Sequence, residues 1–295
     1  MRRVDKYANL VAVFGPFLAL GGMIPIAIRH DLFHWQDAVV FAIMYVLCGF
    51  GITVGYHRLL THRAFQTYKP VEYGFAILGS LAIQGGPLDW VADHRKHHAH
   101  SDVEGDPHSP HLSGSGIRGA IKGLWHAHVG WTWRAHGCAT WERYAGELNE
   151  DRGMRVIHYA FPLLLLSSVA IPFGLGVAIT GTVYGGLTGM LWGALVRVLV
   201  QSHVTWSVNS VCHFFGRRRF DVDDHSTNVW WLAIPSLGES WHHNHHAFPR
   251  SARHGLRRTE VDLSGLLVHG LQRLGLAWNV VEITPERQSS RLTPL

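Results

Sequence analysis

Apolar and polar residues occupy long alternating blocks along this chain. Residues 10–28 are an apolar run broken only by Pro16 and Pro25, and residues 38–55 are a second. A polar stretch over 57–155 follows, then 45 apolar residues over 156–200 and a polar remainder to Leu295. A helix crosses a bilayer core with about 20 apolar residues. The pattern therefore predicts four spans, at 10–28, 38–55, 156–174 and 177–200, paired into two hairpins, the second breaking near Gly174 and Gly176. The polar blocks 57–155 and 201–295 then form a helical cap. The fold class is all-α integral membrane, one domain over 1–295. Inside the cap, 73–92 is moderately apolar, is interrupted by Gly85-Gly86-Pro87 and ends at Asp89 and Asp93, which predicts a partly buried or interfacial helix. Residues 101–116 read as a loop, and 125–133, rich in tryptophan, suits the headgroup level.

Composition agrees with this picture. Hydrophobic residues make up 47% and charged residues only 16%, with 32 glycines and 12 tryptophans; mean hydropathy is +0.06, too low for spans alone. The net charge of +5 is scattered and forms no lysine-rich stripe, which argues against a nucleic-acid partner. Three distant cysteines, Cys48, Cys138 and Cys212, make neither a disulfide framework nor a thiolate metal site, and suit a reducing compartment. Lys and Arg are concentrated in the N-terminus and in the two cap blocks, whereas the turn after the first span holds only Arg29. The positive-inside rule then puts both termini and the whole cap on the cytoplasmic side of a bacterial plasma membrane.

The chemistry lies in the cap's histidines. Three boxes occur: His57 with His62, then His94-Arg95-Lys96-His97-His98, then His242-His243-Asn244-His245-His246. On helices, His94/His97/His98 and His242/His245/His246 have i, i+3, i+4 spacing, so each trio shares a face. Adjacent members diverge by roughly 100°, which lets one trio serve two metals. His57 and His62 are separated by roughly 140° on an α-helix, so they are not expected to chelate one ion together. His213, at the end of the last apolar block and one helical turn after Asn209, makes a ninth candidate. A histidine tag-like run would not repeat the trio spacing 148 residues apart across a membrane hairpin. Hydrolytic zinc sites use three protein ligands and one open position; nine imidazoles suit two ions of a redox metal. A di-iron centre that activates O2 fits the count and the position at the bilayer, and an all-histidine sphere also admits zinc in recombinant protein. Asp93, Asp106, Glu239 and His243 are candidate partners for the outward ring nitrogens.

These boxes, with Gly51-Ile52-Thr53 before the first and Asn209-Ser210-Val211-Cys212-His213 before the third, resemble the membrane fatty acyl desaturases of the stearoyl-CoA Δ9 type. The likeness runs from about Leu47 to Phe248, and to Gly255 in the actinobacterial-like bacterial form. It implies two irons held by His57, His62, His94, His97, His98, His213, His242, His245 and His246, with Asn209 acting through water. It further implies a bent tunnel that sets C9 and C10 of a C16 or C18 chain against the irons, its bend lined by Gln84, Trp90 and Thr205. The closed end matches Tyr45 and Gly49. The implied reaction is O2-dependent formation of a cis double bond in acyl-CoA, with an acyl-lipid as the alternative substrate. At the acyl-carrier site the positions of interest are Asp93 and Arg134, while Ala92 stands where animal members have an arginine that holds coenzyme A. No His-Pro-Gly-Gly stretch occurs, so the reading expects a separate electron donor, a ferredoxin-type reductase system or a cytochrome b5-like protein.

Two other readings use the same residues. A related di-iron monooxygenase would hydroxylate a lipid or alkane and add sixteen mass units where desaturation removes two. A metal transporter would need ionisable residues inside its spans, and the apolar blocks hold almost none before Arg197.

Overall fold

The computed structural model describes residues 32–293 together with Pro25 and Arg29. The expected span at 10–28, apart from Pro25, lies outside the described residues. Among those described, three helices are long and apolar enough to cross a membrane: α1, Trp35–Thr61; α6, Phe161–Thr180; and α7, Val183–His213. Between α1 and α6 lie α2, Lys69–Ser80; α3, Pro87–Ala99; α4, Gly116–His128; and α5, Arg152–Tyr159. After α7 come α8, His242–Ala247, and α9, Leu263–Arg273. The two-residue strands β1, Gln66–Thr67, and β2, Ala277–Trp278, pair antiparallel and tie the C-terminal segment to the chain just after the first histidine box.

α1 carries the apolar run without a break into the first box. From Gly51 to Thr61 its backbone winds with i→i+5 bonds, and the His62 N–H donates to the His57 carbonyl at 3.1 Å. Small residues allow close contact here. A methyl on Gly51 would lie 2.2 Å from the backbone N of Gly79, and one on Gly55 would lie 2.9 Å from Phe75 Cβ. α2 therefore lies backbone to backbone against α1, the usual way helices associate where lipid supplies no hydrophobic driving force.

The second hairpin turns later than the sequence pattern suggests. α6 runs through Gly174 and Gly176 to Thr180, Gly181 adopts φ +69, and the Thr182 hydroxyl caps α7 by accepting from the Gly185 N–H. Of the two glycines that resembled a break, Gly176 serves helix packing instead, since a methyl on it would be 2.1 Å from the Gly185 carbonyl oxygen, whereas one on Gly174 would meet nothing within 4 Å. The start of this block also differs. Residues 152–159 form the separate helix α5, with Val156 and Tyr159 exposed, and α6 begins at Phe161. α2 and α3 divide at Gly85-Gly86-Pro87, where Gly85 takes φ +100, as the expected interruption requires. Ile117, Ile121 and Trp125 are exposed at four-residue intervals on α4 and form an apolar stripe suited to a membrane surface.

Candidate metal centre

Four parts of the fold converge on one place. α1 and α7 both end among histidines, α3 carries the middle box, and α8 carries the last. Two groups of ring nitrogens result, His57, His62, His94, His98 and His245 in one, His97, His213, His242 and His246 in the other, each lying within 4.8 Å of one another. The nine candidate histidines are thus brought together, with adjacent members of each trio divided between the groups as the 100° offset requires: His97 from His98, and His245 from His246. The expectation for His57 and His62 is corrected. They share a group, with ring centroids 4.9 Å apart, because i→i+5 winding stacks residue i+5 over residue i where an α-helix would rotate it away.

The nitrogens are arranged as an ion would arrange them. Nε2 of His245 lies 3.1 Å from Nε2 of His57 and 2.9 Å from Nε2 of His98, and Nε2 of His213 lies 2.9 Å from Nε2 of His242. Two nitrogens bound at right angles about 2.1 Å from one ion would stand ~3.0 Å apart. His62, His97 and His246 each bury an Nε2 that has no hydrogen-bond partner among the described residues, a costly state that coordination relieves. These observations fit two metal ions of the imidazole-binding class.

Carboxylates fix the rings from behind. Nδ1 of His213 bonds Asp102 Oδ2 at 2.8 Å, that of His97 bonds Asp106 at 3.0 Å, and that of His246 bonds Asp224 Oδ2 at 2.6 Å. Glu239 pairs with His57 Nδ1 and with buried Arg58, which also reaches Asp262 at 3.1 Å. Each bond places the proton on Nδ1 and leaves the Nε2 lone pair facing inward. Burial, and then neighbouring imidazoles, hold His62, His94, His98, His242, His245 and His246 well below the ordinary imidazole range, so they are neutral and ligand-ready at pH 7. His97 shifts the other way: burial disfavours its charge, but the Asp106 carboxylate outweighs that.

Asp106 and Glu239 thus hold the positions expected of them, whereas Asp93 and His243 do not brace a ligand. Asp93 is buried on another face of α3, where it pairs with His136 at 2.9 Å and accepts from the Gly137 N–H at 2.7 Å. His243 accepts from the Phe220 N–H at 2.9 Å. Arg134 is exposed on the loop leading to His136. Asp102, Asp224 and His254 were not anticipated. The two aspartates lie in loops, and no spacing rule connects them to a box. His254 is buried, with its ring 4.5 Å from that of His245.

The two groups separate two cavities that share no lining residue. A narrow one on the membrane side is lined by Tyr45, Gly49, Trp90, Thr205 and Asn209 together with His57, His94 and His242. Gln84 joins this wall by donating to the Thr205 hydroxyl at 2.9 Å, and Trp90 stacks on His94 at 5.0 Å. An open polar cleft of ≈ 880 Å³ reaches His62, His98 and His246 from the other side, with Arg63, Arg95 and Arg250 among its walls.

The profile of the fatty acid desaturase family matches residues 33–271. The chain belongs to the fatty acid desaturase family. Among its relatives, a hex-5-enoyl-(acyl-carrier protein) acetylenase of Moorena producens is 44% identical over 80% of this chain and 74% of its own length. An sn-1 stearoyl-lipid 9-desaturase of Anabaena variabilis is 42% identical over 84% of this chain and 85% of its own. Delta-9 acyl-lipid desaturase 1 of Arabidopsis thaliana is 38% identical over 99% and 88%. This desaturase is therefore an oxidoreductase of lipid metabolism, with membrane-type helices and clustered histidines.

Proposed function

We propose that this desaturase introduces a cis double bond between C9 and C10 of a saturated C16 or C18 acyl chain, using O2 and two irons. The observation that carries the reading is the position of the two histidine groups at the inner end of a narrow cavity between α1 and α7. Bound there, the irons supply the oxygen-activating redox chemistry. The protein's residues supply the rest. Asp102, Asp106, Asp224 and Glu239 hold the imidazoles in one tautomer and orientation. Trp90, stacked on His94, and the Gln84–Thr205 bond shape the wall against which the reacting methylenes lie and keep water out. Asn209, in the same wall, is the candidate water-mediated contact.

For the carrier, the reading is an acyl chain esterified in a membrane lipid. The Anabaena and Arabidopsis relatives are named for acyl-lipids. Ala92 stands where animal enzymes place an arginine on coenzyme A, and the Asp93 carboxylate is engaged inside the protein. Acyl-CoA is the second reading, carried by the resemblance to the stearoyl-CoA type. The polar cleft reaching His62, His98 and His246 suits delivery of electrons by a separate donor protein at the cytoplasmic face of a bacterial plasma membrane, the side on which both termini would also lie.

The test is aerobic turnover by iron-loaded protein in lipid nanodiscs with a reducing partner, offered labelled stearoyl-lipid or stearoyl-CoA. A product two mass units lighter, with its double bond at C9, supports the reaction, and the substrate used identifies the carrier. A gain of sixteen mass units would replace desaturase by hydroxylase.

A further inference from the structure

Arg197 is a fully buried cation inside α7. No carboxylate pairs with it among the described residues. A guanidinium within a span is retained only where its donors are occupied and it has something to hold. Its Nε donates to the Gly193 carbonyl at 3.1 Å, Nη1 to the Leu81 carbonyl at 3.1 Å, and Nη2 to the Ser168 hydroxyl at 2.6 Å. Nη1 also faces Gln201 Oε1 at 3.4 Å, one helical turn further on.

Gln201 is buried in the wall of the narrow cavity. Its Nε2 lies 3.4 Å from the Tyr45 carbonyl oxygen, and a methyl on Gly49 would come within 3.3 Å of it. Leu237 Cδ1 closes on the same point, 2.6 Å from that methyl, and the Tyr45 hydroxyl donates to the Pro235 carbonyl at 2.7 Å. Asn209, Thr205 and Gln201 follow one face of α7 away from the histidines. From Asn209 to Gln201 is ~12 Å along the axis, the reach of roughly eight to ten methylenes of an extended chain. That is the length an 18-carbon chain has left beyond C10.

Resting on the reading of this cavity as the acyl tunnel, we propose that Gln201, tethered by Arg197, is the polar end wall that fixes maximum chain length. A methyl terminus gains nothing from an amide. A longer chain must displace that amide, separating it from Arg197 and the Tyr45 carbonyl in a place without water, which costs more than one further buried methylene returns. Gly49 supplies the room for the chain up to this point, and Gln201 supplies the stop.

Cells expressing the wild type, Gln201→Ala or Gly49→Ile are fed saturated acids of sixteen to twenty-two carbons, and the unsaturated products are measured by mass spectrometry. Gln201→Ala is expected to raise the ratio of C20 to C18 product about tenfold, the discrimination one or two methylenes can carry. Gln201→Ser should move the ratio the same way, and decides the matter if the alanine variant does not accumulate. An unchanged chain-length distribution in both Gln201 variants, alongside a shift to shorter products in Gly49→Ile, overturns the end wall and leaves the tunnel standing. Absence of any unsaturated product from the wild type removes the desaturase reading itself, and the end wall with it.

Discussion

Asp224→Asn should separate the two proposed metal sites. Asp224 Oδ2 accepts from His246 Nδ1 at 2.6 Å, with the two side chains 5% and 2% exposed. The substitution keeps the shape and removes the charge from the only carboxylate on that ring among the described residues. Hydrogen bonds to charged groups contribute about 1.5–3 kcal/mol. Loss of such an outer partner typically weakens metal binding about 10–100-fold, which is ~1.4–2.8 kcal/mol, so the two scales agree. The lower end applies if the asparagine presents its oxygen to Nδ1. The upper end applies if it presents NH2, because His246 must then carry its proton on Nε2, facing the ion. The assay is iron per chain by mass spectrometry after equilibration against graded chelator. The group of His97, His213, His242 and His246 should release its ion first, while the five-histidine group retains its own at wild-type chelator concentrations. Wild-type retention at both sites, or equal loss from both, would refute the assignment of Asp224 to one site.

Other outcomes follow from the same geometry. Asp102→Asn should reproduce the Asp224→Asn pattern through His213, whereas Glu239→Gln should weaken the five-histidine site through His57, as the same chelator titration would record. His245→Ala should abolish turnover and lower iron content while leaving the helical circular dichroism unchanged; retained turnover would remove His245 from the ligand set. Gly51→Ala should lower stability by about 1–3 kcal/mol, because the new methyl meets the backbone of α2 and not a movable side chain; denaturant unfolding in detergent measures it. Metal-free protein should lose stability as pH falls below 6.5. The unfolded chain takes up protons there that the six low-titrating imidazoles refuse in the folded state, whereas above 6.5 neither state carries them. His97 and His136, both shifted upward by a neighbouring carboxylate, oppose the trend. Thermal midpoints at about pH 7.5 and about pH 5.5 should differ in that direction, and a higher midpoint at the acidic value would contradict the burial of neutral imidazoles.

The linear sequence by itself determined the family, the nine imidazoles and the division of each trio between two groups. All three depend on local spacing: i, i+3 and i+4 positions project in known directions whatever surrounds them. It also put the first box at the end of a span, because the apolar run over 38–55 stops just before His57. What only the tertiary structure decided depends on distant contacts. His57 and His62 meet because close packing against α2 accompanies a rewound backbone in α1, which no residue count reveals. Gly176 is a packing surface and not a turn because Gly185 lies against it from another helix. Asp102 and Asp224 reach their histidines from loops whose paths are set by the whole cap. Gln201 meets the Tyr45 carbonyl, and Arg197 the Leu81 carbonyl and the Ser168 hydroxyl, only when α7 is laid beside α1 and α6. Spacing along one helix fixes directions; which directions meet is fixed by the packing of helices against one another.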